Sequence, residues 1–274
     1  MNATARSAGS APEVRLSRPR AGVVAIDLNR PHRLNALTAT MVESMHEALT
    51  EAGSDPQCRV VVLGGVGRGF CAGLDLDGYA DDTVGHDVHA KLAVQRHIAS
   101  LVQRIRSLRQ PVIASVNGAA AGGGLALVCA CDVRLASIDA VFAVSFIRVG
   151  FSGCDIGTSW MLPRLVGAGR AHELMLTGRR FDAAEALRIG LVADVVAAED
   201  LAGRVTQTVD ALLAAPPLSL ALTKQGMWLS LEIPSFDAAV ELENRQQVLT
   251  ALTQDQAEAM AAFRDGREPR YCNR

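Results

Sequence analysis

Three consecutive glycines, Gly122-Gly123-Gly124, stand between two apolar runs, and no other feature of the chain restricts its fold as strongly. Before them, Pro111-Val112-Ile113-Ala114-Ser115-Val116-Asn117 reads as a buried strand. After them, the apolar run through Cys131 reads as a helix that opens at Gly123. The glycines therefore fall at a helix N-terminus, where the first amides lack intrahelical partners and the dipole is positive. With no side chain in the way, a ligand can approach that backbone closely. A phosphate suits such a place, as does an oxyanion that forms only during a reaction. Close packing of a Gly/Ala-rich helix on a strand is the plainer alternative. A P-loop is excluded because no lysine follows the glycines, and the Gly-x-Gly-x-x-Gly pattern of dinucleotide folds is absent.

A second strand-to-turn unit sharpens the reading. Residues 59–64, Arg-Val-Val-Val-Leu-Gly, form a β-branched run that leads into Gly65 and on through Gly67, Arg68-Gly69-Phe70-Cys71-Ala72-Gly73-Leu74-Asp75-Leu76. If the two strands are neighbours in one sheet, their turns bring two backbone N–H groups to one point. Two convergent donors make an oxyanion hole.

Around these units the chain alternates strand and helix signals. Val14 to Arg18 and Val23 to Leu28 read as a hairpin across Pro19-Arg20-Ala21-Gly22. Apolar residues at helical spacing over 38–52 predict a helix with Thr38 or Thr40 as N-cap. Further helices are expected at 88–107 and 123–130, and strands at 59–64 and 111–116. From 199 onward only helices are expected: 199–214, 217–231, 235–250 and 255–264. The first of these carries Leu201, Val205, Val209, Leu212 and Leu213 along one face, so it must cover something. An α/β fold follows.

Composition removes several classes. A formal net charge of −2 and only 4% aromatic residues give no footing for nucleic acid or an anionic membrane. No run is long and apolar enough for a transmembrane helix. Met1 to Pro12 lacks the apolar stretch of a secretory signal and is expected to be a disordered leader, which points to the cytoplasm. The six cysteines show no Cys-x-x-Cys spacing and read as incidental thiols, Cys71 included. His86 and His89 lie in an acidic stretch as a lone pair, so no metal site is expected.

With Asn29-Arg30-Pro31-His32-Arg33-Leu34-Asn35-Ala36-Leu37, the turn from Arg68 to Leu76, Asn117 through Asp132, Leu162-Pro163-Arg164-Leu165-Val166-Gly167 and Ala262-Phe263-Arg264-Asp265-Gly266-Arg267, the chain closely resembles the crotonase (enoyl-CoA hydratase/isomerase) superfamily. The resemblance implies a ββα spiral core over 13–197 and a C-terminal helical trimerisation region over 198–274, in a homotrimer or a hexamer built as a dimer of trimers. It implies an acyl-CoA thioester as substrate, with no cofactor beyond the coenzyme A moiety itself. By the same resemblance, the N–H groups of Leu74 and Gly123 hold the thioester oxygen as it becomes an enolate. Arg30, Arg33, Leu34, Ala72, Leu74, Phe263 and Arg267 are placed around coenzyme A. His32 and Gly266 stand where the family often has lysine, so two usual cations are weakened or missing. Asp75, Asn117 and Asp132 are read as loop and turn residues, and His97 as a residue near the acyl pocket.

The acid/base positions depart from the family pattern. The two glutamates of a hydratase correspond here to Ala126 and Phe146, neither of which can move a proton. Asp155 is the carboxylate left in the neighbourhood, expected between Phe146, Phe151 and Trp160. It also suits an ordinary N-cap of the helix leading to Leu162-Pro163-Arg164. Family members such as dienoyl-CoA isomerases and the chlorobenzoyl-CoA dehalogenase carry a working aspartate in a similar setting. Asp155 is therefore expected to shuttle a proton, and a single carboxylate suits double-bond isomerisation better than hydration. The alternatives are an acyl-CoA-binding protein without turnover, and a thioester hydrolase or dehalogenase with Asp155 as nucleophile.

Overall fold

Six strands form the larger of two sheets, with β-branched runs at its centre. β1 (Val14–Arg20) and β2 (Val23–Leu28) make the antiparallel hairpin, and α1 (Ala39–Ser54) follows, its first turn capped by Thr38, whose Oγ1 accepts from Met41 N–H at 3.0 Å. β3 (Val60–Gly65) lies parallel to β2. The computed structural model describes residues 11–77 and 87–274. Most of the expected leader and His86 lie outside those residues.

Three strands of the large sheet, β3 and the two that follow it in the chain, each lead into a three-residue strand of a second, smaller sheet. β4 (Gly69–Cys71) follows β3 and precedes α2 (Val88–Ser107), whose N-cap is Asp87. β5 (Val112–Val116) leads to β6 (Ala119–Ala121) and then to α3 (Gly123–Ala130). β7 (Val133–Ser137) leads to β8 (Val141–Ala143), a 3-10 turn at Ser145–Val149, and α4 (Thr158–Val166). After α5 (Ala168–Thr177), β9 (Arg180–Asp182) closes the small sheet, and α6 (Ala183–Arg188) and β10 (Asp194–Val196) complete the large one. The sheet orders are β1-β2-β3-β5-β7-β10 and β4-β6-β8-β9, parallel except for β1/β2 and β8/β9. The ββα turns thus stack as a spiral, with β3 beside β5 and β4 beside β6. The two glycine turns are neighbours because their strands are.

The main core fills the space between the sheets and α1 to α4. The opposite face of the large sheet is covered by α7 (Leu201–Leu213), whose Leu201, Val205 and Val209 meet Val23, Val60, Ile113 and Leu135. Three further helices follow: α8 (Pro217–Ser230), α9 (Phe236–Ala251) and α10 (Gln254–Asp265). Lys224 ties α8 to the core, with its buried Nζ 2.8 Å from Asp132 and 3.0 Å from both the Ile105 and Gln110 carbonyls. Among the described residues no single helix is long and apolar enough to cross a membrane.

Candidate active site

The first turn is held open by neighbours that bond on either side of Leu74. Leu37 N–H donates to the Gly73 carbonyl at 2.7 Å, and Asp75 N–H donates to the Leu37 carbonyl at 2.9 Å. In such a parallel bridge the flanking groups take the bonds, so the N–H of Leu74 faces the other way. Buried Asn35 fixes the base of the turn, its amide donating to the Val66 and Gly69 carbonyls at 3.0 and 2.8 Å. Arg30 fixes its far end, donating to Asp75 at 2.8 Å and to the Ala36 carbonyl at 2.7 Å.

The second turn delivers Gly123 as the first residue of α3. All eight residues of α3 are buried, as befits a helix that is apolar all round. Its seat on β4 admits no side chain at Gly124, where a Cβ would come within 2.0 Å of the Cys71 carbonyl oxygen. Gly73, at φ +96°, adopts a conformation open mainly to glycine, and a Cβ there would stand 3.3 Å from the Gly123 nitrogen. The turns therefore touch. Among the described residues neither Leu74 N–H nor Gly123 N–H makes a hydrogen bond.

Both amides border a cavity of about 90 Å³ walled by Leu37, Ile98, Phe146, Val149, Phe151 and Ile156, with Gln95, Ser145 and Asp155 as its polar side chains. Among these lining residues Asp155 is the one carboxylate. One of its oxygens accepts from Gln95 Nε2 at 2.6 Å and from Ile156 N–H at 2.7 Å. A larger cleft of about 270 Å³ lies at Arg59, Arg109 and Gln110. It contains neither amide, and the Arg59 guanidinium there is already committed to the Leu213 and Ala215 carbonyls.

A family model for enoyl-CoA hydratase/isomerase matches residues 18–274. The chain belongs to this family, the crotonase superfamily. The 1,2-epoxyphenylacetyl-CoA isomerase of Escherichia coli (strain K12) is 36% identical over 256 residues, covering 93% of this chain and 97% of that protein. The "Probable enoyl-CoA hydratase EchA12" of Mycobacterium tuberculosis is 36% identical over 273 residues, covering 93% and 91%. The crystal structure of enoyl-CoA hydratase from Bacillus anthracis superposes with a TM-score of 0.89 at 30% identity, covering 96% of this chain and all of that one. The fold is thus the crotonase fold, and the protein is an enzyme of a family whose members carry both hydratase and isomerase names.

Within this crotonase the expected site residues separate into two groups. Leu74, Gly123, Ala72, Asp155 and Phe146 come together around the cavity. Arg30 does not serve as a free cation: its side chain is only 14% exposed and is held by Glu13 and Asp75, so it positions the Leu74 turn instead. Arg33 is exposed and pairs with Asp77 just beyond the cavity rim. The Leu34 carbonyl accepts from Ala72 N–H at 2.9 Å and is engaged within the protein. Phe263 is 85% exposed, and Arg267 pairs with Glu258 beside a separate cavity; neither lines the cavity of the two amides.

For Asp155 as a cap, Trp160 and His97 the structure differs from expectation, whereas Cys71, Asn117 and Asp132 sit as expected. Asp155 does not cap α4 with its side chain, because Gly157 is the N-cap and the Asp155 carboxylate turns back onto Ile156. Trp160 faces away from the cavity, stacked between the guanidinium groups of Arg106 and Arg164 at 4.5 and 3.9 Å. His97 points to α1, where its Nε2 lies 3.0 Å from Glu43 and its ring lies tilted against His46. Burial pushes the Cys71 thiol up to about 12, which leaves no thiolate. Asn117 donates to the Gly65 and Gly67 carbonyls and Asp132 accepts from Val112 N–H, both structural roles. Gln95, Ser145 and Ile156 escape a motif reading, because nothing in their spacing marks them; only the fold brings them to Asp155.

Proposed function

We propose that this crotonase isomerises the double bond of an enoyl-CoA thioester. The thioester oxygen accepts from Leu74 N–H and Gly123 N–H, and negative charge gathers there as the dienolate forms. Each donor is worth about 3 to 4 kcal/mol at the transition state. Asp155 removes a proton from C2 of a 3-enoyl group, the electrons pass to the oxygen, and the same carboxylate returns the proton at C4. No water is added, in keeping with alanine at position 126 and phenylalanine at position 146, where a glutamate pair would have to hold it. Arg33 and the carbonyls of Ala72 and Leu74 are proposed to receive coenzyme A.

The observation that supports this reading is the pairing of two unbonded amides with a single carboxylate around one cavity. Purified enzyme is expected to turn over 3-enoyl-CoA or dienoyl-CoA faster than it hydrates 2-enoyl-CoA. Asp155→Asn should lower kcat by about 10² to 10⁴. Equal turnover by the variant would remove Asp155 from the mechanism. We also propose a homotrimer or a dimer of trimers, supported by the exposed apolar side chains of α9 and α10 and measurable by light scattering.

A further inference from the structure

We infer that Gln95 and the Ile156 peptide clamp one oxygen of Asp155, so that the other oxygen, Oδ2, is the atom that takes and returns the proton. The inference rests on the proposed role of Asp155. Both protein donors, Gln95 Nε2 at 2.6 Å and Ile156 N–H at 2.7 Å, converge on Oδ1. Among the described residues Oδ2 has neither a hydrogen bond nor an ion pair. Two donors on one oxygen fix the plane of the carboxylate and stop it from rotating about its last bond.

Ile156 adds an unusual backbone. Its φ of +36° lies in the left-handed region, a genuine outlier for a β-branched residue. Such strain persists only where surrounding structure imposes it. The same residue reaches the other half of the site, since its Cδ1 lies 3.5 Å from where a Cβ on Gly123 would stand. One strained residue thus sets the carboxylate plane and packs beside the glycine that carries the oxyanion amide. Isomerisation needs this fixity because a single oxygen must meet two carbons of one substrate held by its carbonyl, and small misplacements are expensive in rate. Gln95 is a positioning residue in this scheme: it acts through Asp155. It is exposed on α2, so its replacement leaves the core untouched.

The test compares Gln95→Met and Asp155→Asn singly and together, in the full chain, with 3-enoyl-CoA as substrate. Gln95→Met is expected to lower kcat about tenfold or more, the loss typical of one hydrogen bond to a charged group, with KM within about twofold and thermal stability unchanged. In the Asp155→Asn background the same change should have no further effect. Gln95→Met with the parent kcat, or with its loss in KM alone, would overturn the clamp. So would a full additional loss in the Asp155→Asn background. If Asp155→Asn itself turned over normally, the mechanism beneath the inference would fail first, and the two failures are therefore distinct.

Discussion

All eight residues of α3 are buried, whereas none of the sixteen in α9 is. The contrast separates two ways of placing a helix. α3 is fixed by atoms of its own chain on every side, down to the Cys71 carbonyl against Gly124, and can therefore aim the Gly123 amide. α9 packs mainly on α8 and α10 and leaves Val248 and Leu249 exposed, with Leu252 just past its end at 81%. The part of the chain that holds the two amides is packed on its own residues. The C-terminal part has apolar surface that a single chain leaves in water.

The sharpest way to break this contrast is to disturb the seat of α3. In Gly124→Ala the new methyl meets backbone, which cannot rotate away as a side chain would. The expected loss is on the order of 4 kcal/mol, beyond the usual overpacking range. Urea unfolding measures it. A loss below about 1 kcal/mol would mean that α3 is not close-packed on β4 and that its rigidity is illusory.

Lys224→Met probes the joint between the two regions and should have the next largest effect. It leaves Asp132 without its buried cation, although Val112 N–H and Trp228 Nε1 still donate to that carboxylate at 2.8 and 2.9 Å. Breaking a buried pair costs about 3 to 5 kcal/mol, and the surviving bonds place this case near 3. If unfolding then became biphasic, α8 to α10 would be a separately melting unit. A single weaker transition would show that the core still governs them.

The same contrast explains how far the chain could be read before its structure was known. β3, β5, α1 and α3 were legible because apolar periodicity extends over enough residues to show. The strands β4, β6 and β8 were not, because three residues are too few to display an alternation. β4 and β6 appeared only as parts of the two glycine-rich turns. The two donor amides could be located by motif, since each needs glycines that sequence displays directly. Arg30 misled for the opposite reason: a guanidinium beside a loop looks like a phosphate ligand until Glu13 and Asp75, distant in sequence, are seen to hold it. Gln95 could not be found at all, since its relation to Asp155 exists only across the gap between α2 and the turn before α4.

A smaller effect is expected from polar replacement on α9. Leu252→Gln just beyond its end removes no contact within the core, so the unfolding free energy of the isolated chain should stay within about 0.5 kcal/mol. The particle mass by light scattering should fall if that surface joins copies. An unchanged mass would place the interface elsewhere. Destabilisation of the isolated chain instead would mean that α9 is better anchored than its exposure suggests.

The smallest effect, and the one that tests the tail alone, comes from acid. Glu258 accepts from Arg267 at 2.7 and 2.9 Å and from Arg270 N–H at 2.7 Å, which together hold its carboxyl at about 2, below the ordinary 4.5. A carboxylate depressed in the folded state contributes stability that is fully present above its unfolded value and is lost as pH falls through its folded one. The window here runs from about 4.5 down to about 2. Within it the segment from Arg267 to Tyr271 should loosen, releasing the Tyr271 hydroxyl from the Ala214 carbonyl that it now meets at 3.1 Å, while Asp255 still holds the N–H groups of Cys272 and Asn273. The Tyr271 ring resonances report that release by NMR, while the amides of α3 stay protected from exchange. In Glu258→Gln the tail should be loose already at neutral pH and should lose this acid dependence. If the tail of the parent protein instead held until α3 itself opened, the two regions would melt as one, and the independence argued from their burial would be wrong.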